Sequence, residues 1–137
     1  MKLPHLYTVE AGPEAFAELW RSAAAAGLRL GWLDLESPVD APVPLAGATG
    51  LGAAKAVSAH GRQTVAVKRL AGEPVLRDLV REHFLGCVAL LVRGRAGFPR
   101  LEARPGEIGV VAMEGAPVLW LDPEAFLVRL RRPRLRG

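Results

Sequence analysis

The apolar run VALLVRG, which begins at Val88 and ends in Gly94, is the feature that most limits the folds open to this chain. A strand that reads as a continuous apolar run is typical of a sheet covered on both faces. Apolar residues at helical spacing lie on either side of it, over residues 76–84 and 126–130. The pattern predicts an α/β domain with a central mixed β-sheet flanked by helices.

The first third of the chain predicts a strand, a helix and a second strand. Leu6 to Val9 suits a short strand or an extended arm. Pro13 opens a helix and Gly27 ends it, as residues at the first helical position and just past the last one do. LRLGWLDL, from Leu28, then suits a strand, and three prolines after it predict a loop (Pro38, Pro42 and Pro44).

A glycine-rich segment from Gly47 to Gly52 leads into two β-like runs, KAVSAH and TVAVKRL. They flank HGRQ, so this region predicts a β-hairpin with a four-residue turn. Residues 98–115 leave two alternatives open. Pro105 to Met113 suits a helix, whereas IGVVAM also suits a strand that pairs with PVLWLD across the EGA turn. Asp122 is expected to cap a last helix that begins at Pro123.

Composition predicts a single globular domain over residues 1–137. Half of the residues are hydrophobic, yet no apolar run reaches the roughly 20 residues that span a bilayer. The N-terminus lacks the apolar core of a signal peptide, so the expected location is the cytoplasm. A single cysteine, Cys87, excludes an internal disulfide and a multi-thiolate metal site. Scarce Asn and Gln suit either a GC-rich genome or a thermophile.

The net charge of +4 is unevenly distributed along the sequence. Residues 1–50 carry three basic and six acidic side chains, whereas residues 51–100 carry nine basic and three acidic ones. The C-terminal tail, residues 129–137, adds five arginines. A basic middle and tail favour an anionic partner such as nucleic acid.

Several common chemistries do not fit the residues present. The glycines before VAVK resemble a protein-kinase glycine loop, but no HRD or DFG motif follows. No Walker A triplet occurs, and no cofactor is expected. The three histidines lack metal-ligand spacing: His5, His60 and His83. We expect His60 to be solvated at a turn and His83 to pack at the core or its boundary. Cys87 begins an apolar strand, where cysteine usually acts as a small buried hydrophobe.

The chain resembles the restriction endonuclease-like superfamily, and within it the Mrr-type domains. The blocks that carry the resemblance cover most of the chain in order. PEAFAELWRSAAAAGLRLGW is similar to the opening helix and strand, GLGAAKAV to the Gly-x-Asp strand, and TVAVKRL to the strand that carries Gln-x-Lys or Glu-x-Lys. PVLRDLVREHF, VALLVRG and APVLWLDPEAFLVRL are similar to the remaining helix and strands.

The resemblance implies a nuclease-type active site, but most of its residues are replaced. Lys68 matches the family lysine and Glu14 loosely matches the helix carboxylate. The family aspartate falls near Gly52, and the acid or amide two positions before the lysine falls at Ala66. Glycine and alanine cannot bind the Mg²⁺ that activates water in such sites. The resemblance therefore implies a nuclease fold with a degenerate active site and no bound metal.

The leading hypothesis is a catalytically degenerate nuclease-fold domain that binds nucleic acid or a nucleic-acid-associated partner. The residues expected to contact phosphates surround the hairpin and extend into the tail: Lys55, Arg62, Lys68, Arg69, Arg131, Arg132, Arg134 and Arg136. A second hypothesis is an assembly module, in which an apolar edge such as VALLVRG supports a homodimer. A third is an active nuclease whose acids come from the proline-rich loop: Asp34, Glu36 or Asp40.

Overall fold

The computed structural model describes residues 3–130, which contain eight strands and four α-helices. The chain divides into two compact units: a hairpin unit, Ser37–Asp78, and a sheet unit, Met1–Glu36 with Leu79–Gly137. The strands are β1 (His5–Val9), β2 (Leu30–Asp34), β3 (Lys55–His60), β4 (Gln63–Lys68), β5 (Ala89–Arg93), β6 (Arg100–Arg104), β7 (Glu107–Val111) and β8 (Leu119–Leu121). The helices are α1 (Ala17–Ala25), α2 (Val43–Gly50), α3 (Leu76–His83) and α4 (Pro123–Leu130).

The sheet unit is built on a six-stranded sheet in the order β2-β5-β1-β6-β7-β8. The strands β2, β5, β1 and β6 are parallel to their neighbours, whereas β6, β7 and β8 form an antiparallel meander. Antiparallel neighbours need only a tight turn between them, while parallel neighbours need a crossover connection. The predicted α/β class with a mixed sheet is therefore confirmed.

Strand β5 lies inside the sheet and is buried on both faces. Its residues Ala89 to Val92 have no exposed surface. It pairs in parallel with β1 on one side and with β2 on the other. The prediction of a strand covered on both faces is confirmed. The expectation that VALLVRG supplies an edge for a dimer is wrong, because both of its edges are already hydrogen-bonded.

Helices α1 and α4 pack together over one face of the sheet. Leu19 and Ala23 from α1, and Phe126 and Leu127 from α4, are buried in one cluster with the strands. A 3₁₀ turn over Pro13–Phe16 precedes α1 and adds the buried ring of Phe16. The helix ends as predicted at Gly27, whose φ of +70° is accessible to a residue without a Cβ.

Strands β2 and β5 are covered on the opposite face by Phe84, which follows α3. A Cβ added to Gly31 in β2 would lie 2.6 Å from the Phe84 ring and 2.9 Å from a Leu90 methyl group. Glycine at this position therefore allows the ring to lie directly on the strand. Val80 of α3 is also buried.

Residues 98–115 contain the two strands β6 and β7 and the start of the connection to β8. They do not form a helix. Arg100–Arg104 and Glu107–Val111 pair in antiparallel fashion, and Pro105 with Gly106 makes the turn between them. The second alternative is confirmed, because Ile108 pairs with Leu121 and Val110 with Leu119. The helical alternative is wrong, since a proline and a glycine with a φ of +77° favour a tight hairpin turn here. Strand β6 was not predicted.

Helix α4 begins as the sequence indicates. The Asp122 carboxylate accepts a 2.7 Å hydrogen bond from the backbone N–H of Ala125. Pro123 occupies the first helical position, where its missing N–H costs nothing. The predicted cap is confirmed, and so is burial of the apolar residues that follow it: Phe126, Leu127 and Leu130.

The hairpin unit contains α2 and the two-stranded sheet of β3 and β4. The predicted loop is shorter than expected, because Val43 to Gly50 is helical. Prolines are tolerated in a first helical turn, where the N–H groups have no partner within the helix. The helix ends at Gly52, whose φ is +116°. The N–H of Ala53 donates to the Ala48 carbonyl at 3.0 Å, which closes a Schellman motif.

The hairpin itself matches the prediction. His60 pairs with Gln63, and Gly61 with Arg62 forms the loop between them. Gly61 has a φ of +61°, as tight two-residue hairpin loops require. The strand expected over GLGAAKAV is only partly present. It begins at Lys55, because the preceding residues end helix α2 and make a turn.

Candidate nucleic-acid interface

The two faces of the β3–β4 hairpin differ in what covers them. Helix α2 contacts both strands. Ala56 and Val67 lie directly opposite one another and are the two half-buried strand residues, so the helix lies on their side. Side chains alternate along each strand, which places the residues of the other face together. We call this other face the lysine face, and all of its residues are exposed: Lys55, Val57, Ala59, Thr64, Ala66 and Lys68.

Lys55 and Lys68 form a cross-strand pair at the base of the lysine face. The side chains of directly opposed residues have Cβ atoms about 4.5–5.5 Å apart. Two lysines on neighbouring strands place two positive charges at the base of this face, which favours an anion such as phosphate. The residues that separate this pair from the hairpin tip are small or β-branched, and both lysines are exposed.

Arg62 and Arg69 place further positive charge at the two ends of the hairpin. Arg62 lies in the exposed loop between the strands, beside His60 and Gln63. Arg69 directly follows β4, and its backbone N–H donates to the Ala54 carbonyl at 3.0 Å. This hydrogen bond extends the hairpin by one step at its base.

No carboxylate interrupts this set of cations in the sequence. Residues 41–72 contain four cationic side chains and no aspartate or glutamate. The structure places on one exposed hairpin the four described residues that were expected to contact nucleic acid. The other four, Arg131, Arg132, Arg134 and Arg136, lie outside the described residues.

The exposed sheet face over β6, β7 and β8 carries cations as well, but they are neutralised locally. The Arg100 guanidinium lies 2.9 Å from the Glu102 carboxylate, and that of Arg104 lies 2.8 Å from Glu107. Arg104 also covers the Trp120 ring at 3.9 Å from its centroid. With both arginines paired to acids, this face has little attraction for an anion. The hairpin is the better candidate, because residues 41–72 contain no acidic side chain.

The residues of the expected nuclease site are only partly assembled. Ala66 and Lys68 share the lysine face. Gly52 lies in the turn that ends α2 rather than on a strand. Glu14 lies in the 3₁₀ turn of the sheet unit. Within residues 3–130, no three His, Cys, Asp or Glu side chains are grouped as metal ligands would be.

Asp34 and Glu36, proposed as relocated acids, instead surround Arg93. The Arg93 guanidinium lies 3.6 Å from the Asp34 carboxylate and 3.4 Å from that of Glu36. Asp34 also accepts a 2.8 Å hydrogen bond from the Glu36 backbone N–H. This cluster joins the carboxyl ends of β2 and β5. Sequence spacing did not reveal it, because the parallel pairing of the two strands brings the residues together. Asp40 is exposed in the hairpin unit.

A groove of about 420 Å³ in the sheet unit contains the only cysteine. Cys87 is half-buried beside Arg29 and His83. Burial raises the pKa of the Cys87 thiol, and the positive charge of Arg29 lowers it to a lesser extent. A thiol held in its protonated form is a weak nucleophile, which fits the expected role of a small hydrophobe. His83 is exposed, so of the two expected positions, the core or its boundary, the core position is wrong. Its ring contacts Phe84 at its edge.

No model of a known protein family matches the chain. No curated protein matches it at a significant level of similarity. Over the residues that the structure describes, every helix is too short or too polar to cross a membrane.

Proposed function

We propose that this protein binds nucleic acid through its β3–β4 hairpin and does not cleave it. The observation that carries the proposal is the exposed Lys55–Lys68 pair on a hairpin whose ends carry Arg62 and Arg69. Phosphate contacts by lysine and arginine supply most of the affinity in binding that does not depend on sequence. A hairpin that places four such side chains on a small exposed surface suits that role.

The same hairpin supports the second half of the proposal. A nuclease of the expected type holds its metal with carboxylates beside the lysine. In this chain, the two positions that correspond to the family's strand acids are Gly52, which has no side chain, and Ala66, whose side chain is a methyl group. Lys68 retains the ability to contact a phosphate as a point charge. We propose restriction endonuclease-like ancestry on the order of the helices and strands. The separate two-stranded sheet that contains Lys68 is the feature that such an ancestry has to explain.

The salt dependence of binding to duplex DNA tests whether the hairpin binds nucleic acid. Four phosphate contacts predict that affinity falls about 10²-fold between 50 and 200 mM salt. In the variant Lys55→Gln/Lys68→Gln, we expect the slope of log K against log salt to become shallower by about two. Fluorescence anisotropy with a labelled 24-base-pair duplex measures both values.

The matched control is Arg21→Gln/Arg81→Gln, which removes the same charge from exposed helical positions of the sheet unit. This variant keeps the wild-type slope if the hairpin is the interface. Equal loss of slope in both double variants would show that binding follows net charge alone. Absence of binding at 50 mM salt would overturn the proposal outright.

Incubation with supercoiled plasmid and Mg²⁺ or Mn²⁺ tests the second half. We expect the plasmid to remain supercoiled, since Gly52 and Ala66 occupy the two positions that correspond to the family's strand acids. Nicking by the wild-type protein that is lost in Lys68→Ala would contradict this expectation. Nicking that persists in Lys68→Ala and is absent from a mock purification would also contradict it, whereas nicking by the mock purification would come from a contaminating nuclease.

A further inference from the structure

The outer part of the hairpin is exposed on both faces. All ten residues from Val57 to Ala66 are exposed, whereas the half-buried pair Ala56 and Val67 lies one step further from the tip. The strands β3 and β4 pair only with each other, so no third strand widens the ribbon within residues 3–130. The tip is therefore a narrow two-stranded ribbon with free surfaces on all sides.

The dimensions of this ribbon match the major groove of B-form DNA. That groove is about 12 Å wide and 8.5 Å deep, and it admits a two-stranded β-ribbon. Five residue steps separate the Lys55–Lys68 pair from the His60–Gln63 pair. At about 3.3 Å per residue, these five steps span roughly 17 Å. A tip seated at the groove floor therefore leaves the lysines beyond the groove rim, from which their long side chains can reach the phosphates.

The side chains along the ribbon are arranged to suit this placement. Arg62 and Gln63 lie at the tip, and these residue types form bidentate hydrogen bonds with guanine and adenine edges. Ser58, Ala59 and Thr64 lie behind them and are small enough to allow close approach to the groove walls. The cations that suit phosphates lie at the base.

We propose that the hairpin enters the major groove of duplex DNA tip first. Arg62 and Gln63 contact base edges, and Lys55 and Lys68 contact phosphates. The inference rests on the proposed function and adds the partner, B-form DNA, and the groove. It also predicts selection against duplex RNA, because the major groove of an A-form helix is too narrow for side chains to read.

Replacement of guanine by 7-deazaguanine tests whether the hairpin contacts base edges in the major groove. This change removes the N7 acceptor from the major groove and leaves the minor groove and the phosphates unchanged. We expect the wild-type protein to bind a 24-base-pair duplex about tenfold more weakly when every guanine is replaced. In Arg62→Ala this difference disappears while the salt slope falls by no more than about one. The control Arg81→Ala keeps the full difference.

Two further measurements make the outcome decisive. Distamycin, which occupies the minor groove, is expected to leave binding intact, and duplex RNA of the same sequence is expected to bind at least tenfold more weakly. Equal affinity for guanine and 7-deazaguanine duplexes, or displacement by distamycin, would overturn the groove assignment while DNA binding itself stood. Failure to bind any duplex at 50 mM salt would overturn the proposed function as well. Circular dichroism of Arg62→Ala shows whether the hairpin remains folded.

Discussion

The sheet unit and the hairpin unit use hydrophobic residues in opposite ways. In β5 of the sheet unit, Leu90 and Leu91 have no exposed surface. In the hairpin unit, Val57 is 57% exposed and Val65 is 46% exposed, and Leu45 is the one buried hydrophobic residue among its described residues. The first unit therefore has an extensive core that is built from its strands and from helices α1 and α4. The second unit has little core of its own.

This difference teaches where function is to be sought. A buried strand is constrained by packing, so its residues report on stability. An exposed ribbon with four cations is not constrained by core packing, so its residues are the place to look for function. Its positive charge favours an anionic partner. The following predictions compare matched changes in the two units.

The largest expected difference concerns removal of apolar side chains. Leu91→Ala creates a cavity in the core and is expected to lower the free energy of unfolding by about 2–5 kcal/mol. Val57→Ala removes a side chain that is mostly exposed, and its effect is expected within about 0.5 kcal/mol. Urea titration followed by far-ultraviolet circular dichroism measures both, because this signal reports on the helices and strands of both units. Similar losses in the two variants would contradict the contrast between the units.

Added methyl groups at two glycines give the next largest difference. Gly31→Ala places a Cβ 2.6 Å from the Phe84 ring, and we expect a loss of about 1–3 kcal/mol. Gly47→Ala lies inside helix α2 with nothing within 4 Å of the new Cβ. It is expected to gain about 0.5–1 kcal/mol in the stability of that helix. Thermal unfolding followed by circular dichroism compares the two. A stabilising Gly31→Ala would show that Phe84 does not lie on β2.

Removal of two carboxylates gives a smaller difference. Asp122→Ala deletes the cap of α4 and is expected to cost about 1 kcal/mol. Asp40→Ala changes an exposed loop residue of the hairpin unit and is expected to stay within about 0.5 kcal/mol. Asp122→Asn retains an acceptor at the cap position and is expected to restore most of the loss. Equal effects of Asp122→Ala and Asp40→Ala in urea titration would remove the cap from the account of α4.

The sequence predicted the fold best where one strong local signal acted alone. The apolar run at β5, the Asp122–Pro123 helix start and the His60–Gln63 turn each follow from such a signal. Predictions failed where two signals competed. Prolines 42 and 44 indicate a loop, but they are also compatible with the first turn of a helix. Pro105 suits a helix start in one of the two alternatives for residues 98–115, but it forms a turn with Gly106, whose φ is positive.

The sequence predicted which residues of the hairpin carry positive charge, but it did not predict how they are arranged. Charge counting identified the hairpin cations, but only the register shows that Lys55 and Lys68 lie directly opposite one another. The position expected beside Lys68 was also wrong, because the sequence pattern does not show where the strand begins. The family pattern assumes that Gly52 lies on a strand, whereas the end of α2 delays the strand to Lys55. The Arg93 cluster could not be predicted, because it depends on which strands are neighbours.

The pKa of one thiol in each unit compares the surroundings of the two units. The expected effect is the smallest of those predicted. Burial raises the pKa of Cys87, so alkylation by iodoacetamide in the native protein is expected to titrate at a higher pH than in the urea-unfolded chain. The stability contributed by the protonated thiol is fully present below the unfolded-state pKa and is lost as pH rises through the folded-state pKa. Cys87→Ala is expected to lack this loss.

A thiol on the lysine face is expected to titrate in the opposite direction. Ala66→Cys in the Cys87→Ala background places a sulfur on the exposed face that also carries Lys55 and Lys68. Positive charge favours the thiolate, so the pKa of this thiol is expected to lie below that of the same residue in the unfolded chain. Lys55→Gln/Lys68→Gln in the same background is expected to abolish the lowering. A native Ala66→Cys thiol that titrates like the unfolded one would mean that the face lacks the positive potential on which the proposed DNA binding depends.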